Sequence, residues 1–137
     1  MSASTFAPNG PMTRQAMWMV LARMSGETPA DMAEARAWAV KTGVSDGSNP
    51  AASVPRQQFV TMLWRWAQSR GVDASVGEDT NVLSYEDALS ISDYAMPAAR
   101  WTCGEGIMSG YADGTLRPHN TATRAHVAKM LMNFLNR

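Results

Sequence analysis

Apolar residues recur in three stretches of the chain at the spacing of one face of an α-helix. In each stretch an arginine is followed by apolar side chains three, six, seven and ten positions later, and these arginines are Arg14, Arg56 and Arg124. Intervals of three and four residues are typical of an amphipathic helix that buries one side. With two further segments, the pattern predicts an all-α fold with five principal helices, at 13–24, 31–42, 55–69, 93–104 and 123–136.

The three arginine-headed helices belong to a repeated unit. In each copy a proline stands six residues before the arginine, which places a turn ahead of the helix. In the later two copies a tryptophan is followed five residues later by a glycine, Gly43 after Trp38 and Gly106 after Trp101. We predict that both glycines end a helix in the left-handed region, with the next apolar residue packed back onto the last turn. A repeat protein is therefore expected.

The length of 137 residues favours a single domain built from one half repeat and two fuller ones. The predicted ranges are about 5–26, 30–70 and 78–137, and the first copy lacks the tryptophan-bearing helix. The loop of the last copy is five residues longer than that of the second. We assign the extra residues to 111–115, so that Gly110 matches Gly47. The chain is thus expected to be a piece of a longer precursor, with any export signal upstream of Met1.

Composition and charge narrow the class of function. Twelve Lys and Arg balance twelve Asp and Glu, which argues against nucleic acid or an anionic membrane surface as a partner. Membrane insertion is not expected either, because no apolar run approaches the ~18 residues of a membrane span. The single Cys103 excludes an intrachain disulfide and a cysteine zinc cluster. Scattered carboxylates and the absence of catalytic motifs predict a protein that is not an enzyme and needs no cofactor or metal.

The stretch from Gly106 to His126, GIMSGYADGTLRPHNTATRAH, resembles the signature of the S-layer homology (SLH) domain family. In that family a tryptophan-bearing helix leads through a Gly-Tyr-x-Asp-Gly-Thr-Phe-x-Pro loop into a Thr-Arg-Ala-Glu helix. The second copy lacks the Tyr-x-Asp-Gly-Thr segment, and the first keeps Phe6 and Pro8 with its arginine. The resemblance implies an all-helical fold in which three repeats pack around a pseudo-threefold axis.

The resemblance also implies a function, the non-covalent attachment of a secreted bacterial protein to the cell surface or cell wall. The usual ligand of the family is a secondary cell-wall polysaccharide that carries pyruvate ketals and lies in grooves between adjacent repeats. Carried over by position, the implied binding residues are the motif arginines, two loop glycines and two tryptophans: Arg124, Arg56, Arg14, Gly110, Gly47, Trp101 and Trp38.

The chemistry of these residue types suits an acidic saccharide. Each arginine lies at a predicted helix start, where unpaired backbone N–H groups and the helix dipole favour an anion. A guanidinium can bind a carboxylate through two parallel hydrogen bonds, a tryptophan offers a flat surface, and glycine lets backbone approach closely. Packing in the core is the competing interpretation of Trp38 and Trp101. We expect the groove of Arg124 with the Gly110 loop to bind best, followed by those of Arg56 and Arg14.

Departures from the family motif support a second hypothesis. The glutamate of the motif is replaced by Ala16, Gln58 and His126, which predicts that the capping-box glutamate and its polar contact are missing. The alternative is therefore a divergent module that serves protein–protein association or self-assembly without binding sugar. An incomplete first repeat would expose a half-repeat face that favours self-association.

Overall fold

The computed structural model describes residues 10–74, 82–108 and 110–136. In this part of the chain five α-helices confirm the all-α class: α1 (Arg14–Met24), α2 (Met32–Thr42), α3 (Arg56–Ser69), α4 (Met96–Gly104) and α5 (Arg124–Leu135). Strand-like pairing in the same residues is limited to three isolated bridges, and none of the described helices is long and apolar enough to cross a membrane. Two residues of the first motif, Phe6 and Pro8, lie outside the described residues. So do the beginnings of two predicted repeats, residues 5–9 of the first and 78–81 of the third.

Side-chain caps define the beginnings of three helices. The side chains of Thr13, Asp31 and Thr123 accept hydrogen bonds from backbone N–H groups three residues later, at the starts of α1, α2 and α5. At α5 the imidazole of His126 in turn accepts from the backbone N–H of Thr123. His126 thus takes the part of the missing glutamate, and the expectation that the capping box is absent is wrong for this helix.

The fourth helix begins three residues later than predicted, at Met96. Ahead of it, Asp93–Ala95 forms a 3₁₀ turn in which the Ala95 N–H bonds to the Ser92 carbonyl. The N–H and the hydroxyl of Ser92 are both bonded to the side-chain amide of Gln57 on α3, at 2.9 Å each. The Ser92 hydroxyl accepts from Gln57, and the side chain caps neither this turn nor α4.

The predicted glycine stops are confirmed. Gly43 and Gly106 have φ angles of 79° and 72°, at the ends of α2 and α4. The apolar residues that follow them, Val44 and Ile107, are fully buried. A left-handed glycine therefore turns the chain back so that the next side chain packs onto the helix it has just left.

A closed ring of backbone hydrogen bonds joins the three copies. The Met12 N–H donates to the Ala122 carbonyl at 2.9 Å, the Ala122 N–H to the Val54 carbonyl at 2.7 Å, and the Val54 N–H to the Met12 carbonyl at 2.8 Å. Each of these residues stands two positions before a motif arginine and is buried. Each copy is thus bonded to both of the others.

The same segments satisfy the starts of the arginine-headed helices. The backbone N–H of Arg14 donates to the Ala52 carbonyl, that of Arg56 to the Asn120 carbonyl and that of Arg124 to the Gly10 carbonyl, at 2.8–3.0 Å. Helix starts normally leave such groups unpaired. The expectation that free N–H groups at these positions attract an anion is therefore wrong, because the neighbouring copy already uses them.

Aromatic packing between α3, α4 and α5 completes the core. Phe134 meets Trp66 and Trp101 edge to face, with ring centroids 5.7 and 5.9 Å apart. Such contacts add about 0.5–1.5 kcal/mol per pair to the burial itself. Phe134 therefore links the last helix to the two that precede it.

Replacing Phe134 by alanine is expected to lower the free energy of unfolding by about 3–5 kcal/mol, because the change leaves a cavity between two tryptophans. The matched control is Leu135→Ala, whose side chain is 66% exposed and whose loss should change stability by less than about 0.5 kcal/mol. Urea unfolding measures both. Equal losses in the two variants would contradict this account of the core.

Native-state hydrogen exchange tests the ring. We expect the amides of Met12, Val54 and Ala122 to exchange with opening free energies that agree within about 1 kcal/mol and approach the global stability, because all three residues are buried and each amide is bonded to a different copy. Much faster exchange at Met12 than at Val54 and Ala122 would show that the first copy opens independently.

Candidate functional site

A cavity of about 230 Å³ lies between the start of α3 and the loop and helix of the last copy. We call it the Arg56 cavity. Its polar lining consists of Arg56, Gly110, Tyr111, His126, Lys129 and Asn133, and apolar side chains of Ile107, Met108 and Met130 complete it. Among the described residues that line it, none is acidic.

Arg56 is the most unusual member of this lining. Although charged, it is only 4% exposed. Its Nε donates to the Leu116 carbonyl at 3.0 Å, and its guanidinium carbon lies 5.0 Å from the ring centroid of Tyr111. No carboxylate within the described ranges forms an ion pair with it. Burial lowers the pKa of Arg56, as expected for a cation held away from water without a paired anion.

The loop of the last copy is fixed around Tyr111. The guanidinium of Arg117 stacks 3.8 Å from the centroid of this ring and bonds to the Asp113 carboxylate at 3.0 Å. Asp113 also accepts from the N–H and hydroxyl of Thr115, and these bonds lower the pKa of its carboxyl. From the opposite side, the Asp87 carboxylate accepts the N–H groups of residues 116 and 117 at 2.8 Å each. The Leu116 carbonyl is thereby held towards Arg56.

His126 supplies a titratable group to the cavity. Because the Thr123 N–H donates to its Nδ1, the proton of the neutral ring resides on Nε2, 3.4 Å from the Tyr111 hydroxyl. Burial, and then the charges of Arg56 and Lys129, lower the pKa of His126. At neutral pH the cavity therefore holds two cations and a neutral imidazole, a charge distribution that favours an anion.

A second cavity, of about 340 Å³, surrounds Arg14 and the loop of the second copy. We call it the Arg14 cavity. Here the guanidinium is already paired: it contacts the Asp46 carboxylate at 3.1 Å, the Gln58 side-chain oxygen at 2.7 Å, the Ser45 hydroxyl at 2.9 Å and the Ser48 carbonyl at 2.7 Å. Arg14 and Arg56 thus occupy equivalent positions in their copies. The guanidinium of Arg14 has a carboxylate partner, and that of Arg56 has none among the described residues.

Each of these arginines reaches the loop of the following copy. Arg14 bonds to the carbonyl of Ser48, and Arg56 bonds to that of Leu116. Gly110 accordingly lines the cavity of Arg56, and the expected pairing of Gly110 with Arg124 is wrong. The ring of backbone bonds explains the difference, because it sets each helix start against the segment of the next copy. Arg124 is half-buried at the start of α5 and lines neither cavity.

Packing and turn geometry account for the two loop glycines. A side chain at Gly110 would come within 2.1 Å of the Tyr85 ring, so close packing of that ring requires glycine there. Gly47 corresponds to Gly114, since each follows an aspartate that accepts from the second residue after it, and their φ angles are 78° and 84°. The assignment of the extra loop residues to 111–115 is corrected accordingly.

Trp101 is 1% exposed and packs on Phe134, so it cannot present a ring face to a saccharide. The core interpretation of this tryptophan is the correct one. Trp38 is half-buried and lines neither the Arg56 cavity nor the Arg14 cavity.

Four polar residues of the Arg56 cavity were not predicted as binding candidates: Tyr111, His126, Lys129 and Asn133. The last three are spaced by three and four residues and therefore lie on one face of α5, a spacing that the sequence displays. Tyr111 belongs to the loop motif itself, but its position between two guanidiniums depends on the tertiary fold. The described residues include no group of three or more His, Cys, Asp or Glu placed to hold a metal ion.

Comparison with known proteins places this site in context. Residues 84–128 match the S-layer homology domain. The chain is also similar to cell surface glycoprotein 1 of Acetivibrio thermocellus, with 30% identity over 96 residues. The match covers 69% of this chain but 4% of that glycoprotein, so the chain spans only a small part of its relative.

The matched residues include the Tyr111 loop and the beginning of α5, which carry most of the lining of the Arg56 cavity. The helical fold, the glycine stops and the arginine-headed helix with its preceding loop agree with the motif on which the resemblance was based. Residues 84–128 are therefore similar to the S-layer homology domain both in sequence and in these local elements.

Proposed function

We propose that this chain is a non-catalytic module that anchors a protein to a bacterial cell surface by binding an acidic, pyruvylated cell-wall polysaccharide in the Arg56 cavity. The family match and the cell surface glycoprotein support anchoring at a cell surface in general. The observation that carries the choice of cavity is the buried Arg56 guanidinium, which has no carboxylate partner among the described residues.

A ligand carboxylate would supply the missing charge. A buried cation is costly unless an anion pairs with it, and a guanidinium binds a carboxylate through two parallel hydrogen bonds. Because Nε of Arg56 is bonded to Leu116, the two terminal nitrogens are the donors assigned to the ligand. Lys129 adds a second cation on the same side of the cavity.

The remaining lining suits a ketal-bearing sugar. Met108 and Met130, each 5% exposed, offer apolar surface for a methyl group beside the carboxylate. The hydroxyl of Tyr111 and the imidazole of His126 offer polar contacts to sugar hydroxyls. The lining of the Arg56 cavity thus combines apolar side chains with cations. This combination suits a pyruvate ketal, which carries a methyl group and a carboxylate, better than a neutral sugar.

The ring of Met12, Val54 and Ala122 supports a wider proposal, that the three copies are arranged about a pseudo-threefold axis with grooves between neighbours. In that arrangement the Arg56 cavity is one groove and the Arg14 cavity is another. Arg124 is the equivalent residue of the third copy, and its binding role stays a prediction.

Co-sedimentation with Gram-positive cell-wall sacculi tests the function. We expect the chain to bind untreated walls and to be released when hydrofluoric acid strips the attached polysaccharide. Arg56→Ala should weaken binding by roughly 30-fold or more, the scale of a lost charge-assisted pair. The matched control is Arg23→Ala, an exposed arginine in the last turn of α1 that lines neither cavity and should bind as the wild type does.

Unchanged binding of Arg56→Ala would place the ligand elsewhere. Its melting temperature must be measured in parallel, and Lys129→Ala, at an exposed position, provides a second variant if the first does not fold. If the wild-type chain does not bind any of the cell walls tested, including those of its source organism, the result would favour the protein-association alternative. In that case solution mass would reveal self-association.

The pH dependence of binding tests the place of His126. Its pKa is below the ordinary 6.5 in the free protein, and an anion bound beside it would raise that pKa. Binding would then take up a proton on Nδ1, at the expense of the hydrogen bond from the Thr123 N–H. The gain is therefore modest, and affinity should rise by about two- to tenfold as pH falls from 7.5 to 5.5. The control is His126→Gln, which can still accept from the Thr123 N–H but does not titrate. An identical pH profile for both chains would remove His126 from the site.

A further inference from the structure

We infer that Asp46 is an internal carboxylate that closes the Arg14 cavity to anionic ligands, and that Arg117 prevents the equivalent Asp113 from closing the Arg56 cavity. The inference rests on the proposed function for its biological meaning. It concerns which of two equivalent sites accepts a carboxylate, and it can be tested with a simple carboxylate independently of any polysaccharide.

The loops of the two copies place an aspartate in the same turn. Asp46 accepts from the N–H and hydroxyl of Ser48, and Asp113 accepts from the N–H and hydroxyl of Thr115. In both turns the glycine that follows the aspartate, Gly47 or Gly114, has a positive φ. Both loops therefore carry a carboxylate in the same turn, but Asp46 lines the Arg14 cavity whereas Asp113 does not line the Arg56 cavity.

The cation that this carboxylate meets differs between the copies. Asp113 pairs with Arg117 at 3.0 Å, and Arg117 stacks on Tyr111. The equivalent of Arg117 is Asn49, since both stand immediately before the loop proline and both have a positive φ, 53° and 49°. Because Asn49 carries no charge, Asp46 pairs with the motif arginine Arg14 instead.

Size does not explain why the two cavities would differ in binding. The Arg14 cavity is the larger, at about 340 Å³ against about 230 Å³. A ligand carboxylate can displace neutral acceptors such as Ser45 and Gln58, because its hydrogen bonds to a guanidinium are charge-assisted. It has no such advantage over Asp46, which is already ionised and in place. Charge pairing within the chain thus decides access.

The test is an NMR titration of the wild type and Asp46→Asn with sodium pyruvate, observed through the side-chain Nε–H signals of Arg14 and Arg56. Asparagine can still accept from Ser48, so the turn is retained. Because the Asp46 side chain is 74% exposed, water partly screens its pair with Arg14, and we expect the Arg14 signal to respond at a pyruvate concentration about two- to fivefold lower in the variant. The Arg56 signal should respond equally in both chains and is the internal control.

Asn49→Arg provides a second variant, because it offers Asp46 the cation that Asp113 has in the last copy. Like Asp46→Asn, it should lower the pyruvate concentration at which the Arg14 signal responds. If the Arg14 response is the same in the wild type and both folded variants, the inference is overturned. An Arg56 signal that never responds would contradict the proposed function instead, while the Arg14 comparison would still decide the role of Asp46.

Discussion

The closed ring of backbone hydrogen bonds among Met12, Val54 and Ala122 is the constraint on which the rest of the structure depends. Each bond joins segments that are distant in sequence, so loop-closure entropy opposes every one of them until the helices pack. Once closed, the ring gives each arginine-headed helix its starting point and pairs its first N–H group. The cavities follow, because each helix start then faces the loop of the next copy.

The two cavities illustrate how equivalent backbone positions acquire different chemistry. At Arg14, four acceptors from the second copy and α3 satisfy the guanidinium, including a carboxylate. At Arg56 the guanidinium is deeply buried, and a carbonyl and a ring face are the contacts it makes within the described part of the chain. Burying a charge without a counterion is unfavourable, and for this reason we propose Arg56, and not Arg14, as the site of an external anion.

Much of the fold could be predicted, because the signals are local. Apolar spacing located all five helices to within a few residues, and a glycine after a helix requires only its own φ angle to end it. The start of α4 was predicted least well, because Ser92 bonds to Gln57 on another helix and does not cap its own. The prediction that α5 lacks a capping box was also wrong, since an imidazole can accept a hydrogen bond from the same N–H group as a glutamate would.

The sequence by itself determined the repeated pattern, the positions of the helices to within a few residues, the family resemblance and the three motif arginines, because each depends on residues close together along the chain. Only the tertiary structure decided which arginine meets which loop, since that pairing depends on hydrogen bonds between copies. It also decided that Trp101 is core and that Tyr111 lies between two guanidiniums. Burial and charge compensation are properties of the packed chain, and the difference between Arg14 and Arg56 arises there.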